Sequence, residues 1–323
     1  MNRQLSVAPM MDWTDRHCRF FHRLLSPNAL LYTEMVTTGA LLHGDKERFL
    51  TFNTAEQPLA LQLGGSDPFD MACCAGFAEK VGFKEVNINV GCPSDRVQQG
   101  AIGACLMATP SVVAACVNEM RDAVTIPVTV KTRIGIDDDD SLSFLLDFIG
   151  AVAEAGCDTF IIHARKAILK GLSPKENRSI PPLNYERAYE IKRRFSNLTI
   201  VVNGGIKTVA EVQQHWQNVD GVMIGREAYH NPYFLAAIEH QLFDQPMIER
   251  VTVLHNYLSY VEKQLGEGVS LARLVRPIFG LFAGRPGGKQ WRRHLSEEAR
   301  KNGAGPEVLL SAYEAMSSYT TIN

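Results

Sequence analysis

The sequence of 323 residues predicts an α/β fold, a (β/α)8 TIM barrel, followed by a small all-α helical bundle domain. Three observations carry that prediction. Eight short apolar runs alternate with stretches long enough for helices. Seven of the eight runs finish on, or within two residues of, a polar or charged group. After about residue 245 the pattern changes and no strand-like alternation appears. Strict strand–helix alternation implies a parallel sheet with helical crossovers, and eight units is the number that closes a barrel. An open doubly wound sheet is the competing architecture. No Gly-x-Gly-x-x-Gly follows the first strand, which favours the barrel.

The apolar runs fall at 5–9, 30–33, 59–63, 85–89, 127–132, 159–163, 199–203 and 220–224. Each is short and rich in Val, Ile and Leu, as suits strands buried on both faces. Helices are expected between them, for example at 67–81, 110–124, 141–155 and 209–217. After a linker at 244–250, helices are expected near 251–265, 271–282, 289–301 and 306–318, with Gly and Pro between them. The chain therefore divides into a barrel domain at 1–245 and a helical domain at 246–323.

Composition narrows the function classes. The chain is 46% hydrophobic and 21% charged, which fits a soluble globule and excludes gross disorder. Its seven cysteines are odd in number and form no Cys-x-x-Cys pair, which argues against a disulfide framework, a zinc ribbon or an iron–sulfur cluster. No other His/Cys/Asp/Glu spacing suggests a metal, so none is expected. The acidic run Asp137, Asp138, Asp139 and Asp140 precedes a helix, where it is expected to cap N–H groups. The amino terminus lacks the pattern of a signal peptide, and no apolar run approaches the ~20 residues of a membrane span. A cytoplasmic monomer with no membrane partner is the expectation.

The strand ends carry the candidate chemistry, because barrel active sites lie at the carboxyl ends of the strands. Asn203-Gly204-Gly205 closes the seventh strand and Gly225-Arg226 follows the eighth. Glycines there let backbone N–H groups approach a phosphate, and Arg226 supplies charge. Gln62, Lys131 and His163 end strands three, five and six. An amide, an ammonium and an imidazole suit the polar edge of a flavin, with Lys131 as the cation that favours its reduced form. Cys92 lies in a Gly-Cys-Pro turn after strand four. An unperturbed thiol, with a pKa of ~8.5, can donate a proton at neutral pH; a helix amino terminus after Pro93 would instead favour a thiolate nucleophile. Both readings are open at this point.

Charge is unevenly distributed. The net charge is −2, which by itself argues against nucleic acid. Yet Arg165, Lys166, Lys170, Lys175 and Arg178 face only Glu176 in their segment. Arg273, Arg276, Arg285, Lys289, Arg292, Arg293, Arg300 and Lys301 face only Glu297 and Glu298. Trp291 sits inside the second run. Basic groups with an aromatic suit a phosphate backbone and a base face, so RNA is a candidate partner.

These residues resemble the tRNA-dihydrouridine synthase family. The motifs are Ala8-Pro9-Met10-Met11, Tyr32-Thr33-Glu34-Met35, Leu61-Gln62-Leu63, Asn87-Ile88-Asn89-Val90-Gly91-Cys92-Pro93-Ser94, Val130-Lys131-Thr132-Arg133, Ile162-His163-Ala164-Arg165, Asn203-Gly204-Gly205 and Gly225-Arg226. The stretches Gly171–Arg178 and Gln290-Trp291-Arg292-Arg293 resemble the bacterial subfamily acting on uridines 20 and 20a of the D-loop. The resemblance implies FMN bound by Pro9, Met10, Met11, Gln62, Lys131, His163, Asn203, Gly204, Gly205, Gly225 and Arg226, with NADPH as reductant. It implies Cys92 as the acid that protonates C5 of uracil while C6 receives hydride. It implies tRNA contacts from Asn89, Arg165, Lys175, Arg178, Lys289 and Arg292. Lys289 stands where the subfamily often has Arg, and loses the planar fork. Ala101-Ile102 replaces an aromatic-containing stretch. The competing functions are a flavin oxidoreductase acting on a small molecule such as a free pyrimidine, and a non-catalytic RNA-binding barrel. The basic tail argues against the first, and the cysteine with its flavin constellation against the second.

Overall fold

The computed structural model describes residues 2–322. Eight parallel strands follow one another: β1 (Leu5–Val7), β2 (Leu31–Thr37), β3 (Leu59–Gly64), β4 (Glu85–Val90), β5 (Val128–Arg133), β6 (Thr159–His163), β7 (Thr199–Asn203) and β8 (Gly221–Ile224). Their order in the sheet is β1-β8-β7-β6-β5-β4-β3-β2. The backbone bridge Ser6 to Leu30 closes the ring. This is the expected (β/α)8 barrel, with helices around it and a helical region after it.

The strands form where they do because both faces find cover. Every residue of β3 and β4 is buried. In β4 the apolar Val86, Ile88 and Val90 alternate with the polar Glu85, Asn87 and Asn89. Alternation of period two puts one set on each face of the strand. The polar set shares hydrogen-bonded tiers with Tyr32, Gln62 and Thr129, so it is the barrel interior that is polar here. Beside it, Ala8, Leu30, Tyr32, Ala60, Ile161, Val201 and Met223 form an apolar cluster, with Met10 packed against it.

Helix boundaries follow local chemistry. The helix Pro68–Val81 starts with Pro after Asp67, whose side chain accepts from Asp70 N–H, and stops at Gly82 in the left-handed region. The helix Val209–Trp216 begins with a capping box between Thr208 and Glu211. The acidic run does not cap the next helix as expected. Ser141 does so, accepting from Phe144 N–H, because Asp137 to Asp140 form a separate turn that binds the loop after β6. The expected helix at 271–282 is likewise shortened to Leu271–Leu274, because Pro277 cannot continue it; a 3-10 turn, Arg276–Ile278, follows. β2 runs on to Thr37, so Glu34 lies inside the strand, at a shift in its register, rather than at the strand end.

The chain forms two compact units, Met1–Thr14 with Ala29–Gly225, and Asp15–Asn28 with Arg226–Asn323. This grouping differs from a division at 245/246. The reason lies in buried polar contacts of the second unit. His22 Nε2 meets Ala228 O at 2.8 Å, and Glu239 accepts from the Ser26 hydroxyl, Asn28 N–H and Asn28 Nδ2. These contacts tie the helix Arg16–Leu25 and its following turn to the helices after β8. The unit also contains the long helix Arg250–Gly266, the helix Gly288–Glu298 and the helix Glu307–Ile322.

Candidate active site

The mouth of the barrel, at the carboxyl ends of the strands, is built mainly from β3 to β7. Asn89 is the last inward residue of β4, and its Oδ1 accepts from Gly91 N–H at 3.1 Å and Cys92 N–H at 2.9 Å. One side chain therefore holds both amides of the turn that carries the cysteine. The turn is fastened again from outside, where Ala104 N–H donates to Cys92 O at 2.9 Å. Gly103 must be glycine for this, since its φ is +80° and a Cβ would lie 2.5 Å from Cys92 O. Cys92 is half-buried and its Sγ–H reaches Ser94 Oγ at 3.6 Å. The helix after it, Asp95–Gln99, is a short one with no side-chain cap.

Lys131 pairs in register with Asn89, so its side chain shares the inward face of that tier. It is partly buried and, among the described residues, makes no ion pair with a carboxylate. Burial first, and then the Arg133 cation, lower its pKa to about 7. Arg133 is 3% exposed and forms a hub. Its Nε donates to Gly91 O at 3.1 Å, and its Nη1 donates to Lys166 O at 3.3 Å and Asn177 O at 3.0 Å. It thus joins the cysteine turn to the basic loop after β6. Burial lowers the Arg133 pKa to about 10, which still leaves it cationic at neutral pH.

That loop has an internal frame. Asn177 is fully buried, accepts from Ile168 N–H at 2.7 Å, and donates to Ile168 O and Leu172 O. Asp137 accepts from Leu169 N–H, and Lys166 pairs with Asp140 at 2.9 Å. Gln98 Nε2 bridges Pro93 O and Leu169 O at 2.8 and 2.9 Å. Lys175 and Arg178 are exposed on this frame. Arg165 is half-buried and its Nη1 donates to Pro181 O and Ser179 O, so much of its donor capacity is used internally.

On the far side of the mouth, Asn203 Nδ2 donates to Met223 O at 2.7 Å, tying β7 to β8. Gly204 and Gly205 follow with φ of +119° and +75°. A Cβ on Gly204 would sit 2.8 Å from the His163 ring, and one on Gly205 would sit 2.6 Å from Leu183. Tyr185 OH donates to Gly204 O at 2.6 Å. Among the described residues neither glycine donates its N–H to a backbone acceptor. This is a bare, preset turn of the kind that accommodates phosphate. Pro9, Met10 and Met11 form the turn after β1, in which Met10 O accepts from Trp13 and Thr14 N–H. Gln62 is 1% exposed and its amide is held on both sides, with Nε2 donating to Asn87 and Oε1 accepting from Asn89.

The first unit thus brings together Met10, Gln62, Asn89, Cys92, Lys131, His163 and Asn203–Gly205 on its strand ends. Gly225 is its last residue and Arg226 the first of the second unit. Lys289 and Arg292 belong to the second unit, exposed on the helix Gly288–Glu298, and among the described residues neither pairs with a carboxylate. Trp291, between them, is fully buried against Phe282 with its Nε1–H on Ile278 O, so it is a core residue and not a face for a base. Arg293 and Lys301 pair with Glu297 and Glu298, which reduces the free charge of that run. Sequence reasoning assigned no role to Glu85 or Thr129, nor to Asn87, Arg133 and Asn177 beyond their place in the resembling motifs. The period-two polar pattern of β4 was the available signal for Glu85 and Asn87.

The sequence profile described as dihydrouridine synthase (Dus) matches residues 6–317. The chain belongs to the dihydrouridine synthase family. The family comprises flavin-dependent oxidoreductases that modify tRNA. Among curated proteins, the dihydrouridine synthase of Vibrio cholerae named tRNA-dihydrouridine(20/20a) synthase is 60% identical over 312 residues, covering 96% of this chain and 95% of that one. A protein of the same name from Yersinia pestis is 57% identical over 318 residues, covering 98% and 92%. One from Shewanella oneidensis is 56% identical over 320 residues, covering 98% and 95%. Among the described residues no helix is long and apolar enough to cross a membrane.

Proposed function

We propose that this protein reduces uridine to 5,6-dihydrouridine at positions 20 and 20a of the tRNA D-loop, with FMN as bound cofactor and NADPH as reductant. The observation that carries the reading is the Cys92 turn, fixed by Asn89, whose neighbour in register on the next strand is Lys131, in a chain whose family match spans nearly its whole length. The residues suit FMN. A bare turn at Gly204-Gly205 offers N–H groups to a phosphate, and an ammonium without a carboxylate partner suits the electron-rich pyrimidine edge of a flavin. When bound, FMN reduced by NADPH supplies hydride to C6 of the uracil.

The remaining work belongs to the protein. Cys92 holds the proton that goes to C5, and Asn89 keeps its turn rigid so that the thiol meets one face of the base. Lys131, with its pKa near neutrality, takes up positive charge beside the reduced cofactor. Lys175 and Arg178 on the loop after β6, and Lys289 and Arg292 on the helix Gly288–Glu298, engage the phosphate backbone. Extruding a stacked base costs a few kcal/mol, and such contacts offset that cost. A barrel domain for catalysis with a carboxyl-terminal helical domain for tRNA follows from this division of labour.

The deciding experiment maps dihydrouridine across cellular tRNA with and without this protein. Loss at positions 20 and 20a alone supports the reading. Unchanged tRNA, together with turnover of free uracil by the purified flavoprotein, would replace it with the small-molecule reading.

A further inference from the structure

The inside of the barrel contains one continuous run of buried hydrogen bonds. At its foot, the carboxylate of Glu85 is fully buried and pairs with Arg3. Tyr32 OH and Thr129 Oγ1 donate to Glu85 Oε1 at 2.7 and 2.6 Å. Asn87 Nδ2 donates to Thr129 Oγ1 at 2.9 Å, and Gln62 Nε2 donates to Asn87 Oδ1 at 2.8 Å. Asn89 Nδ2 donates to Gln62 Oε1 at 2.8 Å, and Asn89 Oδ1 accepts from Cys92 N–H.

The direction of every bond follows from the first. A carboxylate paired with an arginine only accepts. Thr129 must therefore spend its hydrogen on Glu85, and can only accept from Asn87. Asn87 must then present its NH2 to Thr129 and its oxygen to Gln62. Gln62 must present its NH2 to Asn87 and its oxygen to Asn89. Asn89 is left with its oxygen toward the turn, where two N–H groups need an acceptor. The opposite amide orientation would set an NH2 against those N–H groups.

We infer that this column, anchored on Glu85, is a positioning device for Cys92, and that Thr129 and Asn87 are positioning residues for the reaction although neither lies at the mouth. The inference rests on the reading of Cys92 as the proton donor. Satisfied networks in a low-dielectric interior hold one arrangement, and small displacements of a reacting group cost rate steeply.

The test compares Thr129→Val, which keeps the shape and removes the hydroxyl, with Thr129→Ser, which keeps the hydroxyl and removes the methyl. Two readouts are taken: single-turnover uridine reduction at matched flavin content, and the rate of Cys92 alkylation by iodoacetamide in the flavin-free protein. T129V slows reduction about tenfold with KM for tRNA within about twofold, and changes the alkylation rate about threefold or more; T129S stays within about twofold on both. A T129V protein that matches the unsubstituted one, or equal losses in T129V and T129S, overturns the inference. Alkylation does not depend on what Cys92 does in catalysis, so a Cys92→Ala protein that still turns over would remove the acid role and leave this arm to decide the column. If T129V does not fold, hydrogen exchange in the unsubstituted protein replaces it. The Cys92 N–H and the side-chain amides of Asn87, Gln62 and Asn89 then exchange at one common rate, and rates that spread over more than about tenfold overturn the inference.

Discussion

Asn89 holds Cys92 by its backbone and not by its thiol: Asn89 Oδ1 accepts the Cys92 N–H at 2.9 Å, while the Sγ–H points to Ser94 Oγ. The thiol is thus oriented without its proton being committed to a strong acceptor. Replacing Cys92 by Ala removes the proton and leaves the turn's backbone bonds in place. The variant retains flavin, measured by its visible spectrum, and loses uridine reduction by about 10²–10⁴-fold. Turnover within tenfold of the unsubstituted protein would rule Cys92 out as the acid.

Lys131 gives a pH signature in the flavin-free protein. Its folded pKa of about 7 lies below its ordinary 10.5. Between those values the unfolded chain binds the extra proton, so stability rises with pH across that window. Below it both states are protonated and the contribution is flat at its lowest. The expected slope is at most ~1.4 kcal/mol per pH unit for one group. Urea denaturation from pH 6 to 10 should show a smaller slope in Lys131→Met, and that variant should also bind FMN more weakly. Equal slopes in the two proteins would contradict the burial of this ammonium.

Arg133 is a joint and not a ligand. Its guanidinium serves three carbonyls, at Gly91, Lys166 and Asn177. Arg133→Lys keeps the charge but cannot reach all three, and leaves buried carbonyls unmet at ~1–3 kcal/mol. Amide exchange across 165–178 should accelerate and tRNA affinity should fall, while FMN affinity changes little. An exchange pattern identical to the unsubstituted protein would show that the loop stands without this residue.

Gly204 tests the phosphate cradle. Alanine there meets both a φ of +119° and the His163 ring. Strain of ~1–3 kcal/mol is expected at such a position. Gly204→Ala should lower the fraction of protein purified with flavin, whereas alanine at Gly266, where a Cβ meets nothing within 4 Å and φ is not positive, should not affect flavin content.

Exposed cations in both units should behave additively toward tRNA. Each of Lys175→Ala, Lys289→Ala and Arg292→Ala is expected to weaken binding at low salt and to reduce the slope of log affinity against log salt by about one. Lys289→Arg should bind at least as tightly as the parent. Filter binding at several salt concentrations measures both, and a salt-independent loss would point to folding instead of phosphate contact.

The eight strands were legible because parallel barrel strands are short, apolar and evenly spaced, and six of their ends fell within two residues of the prediction's polar markers for the same reason. The placement of Cys92, Lys131 and the double glycine at strand ends was legible. Glu34 was misread because a register shift extends β2 beyond its apolar stretch. Trp291 was misread because a basic neighbourhood says nothing about which way one side chain of a helix turns. Arg133 and Asn177 were invisible, since each acts through backbone carbonyls whose positions only the folded loops define. The role of Asp137 was missed for a related reason. Its partner Leu169 is 32 residues away, and no local pattern records that meeting.

The helix Arg16–Leu25 has a consequence for synthesis. It is made about 200 residues before Ala228 and Glu239, to which His22, Ser26 and Asn28 hydrogen-bond. Such pairings close loops of about 200 residues and are slow to form. During translation this amphipathic segment must wait, partly exposed, until the eighth strand has left the ribosome. Chains interrupted before that point would carry this helix unmatched, a natural handle for chaperones and for the proteases that clear unfinished protein.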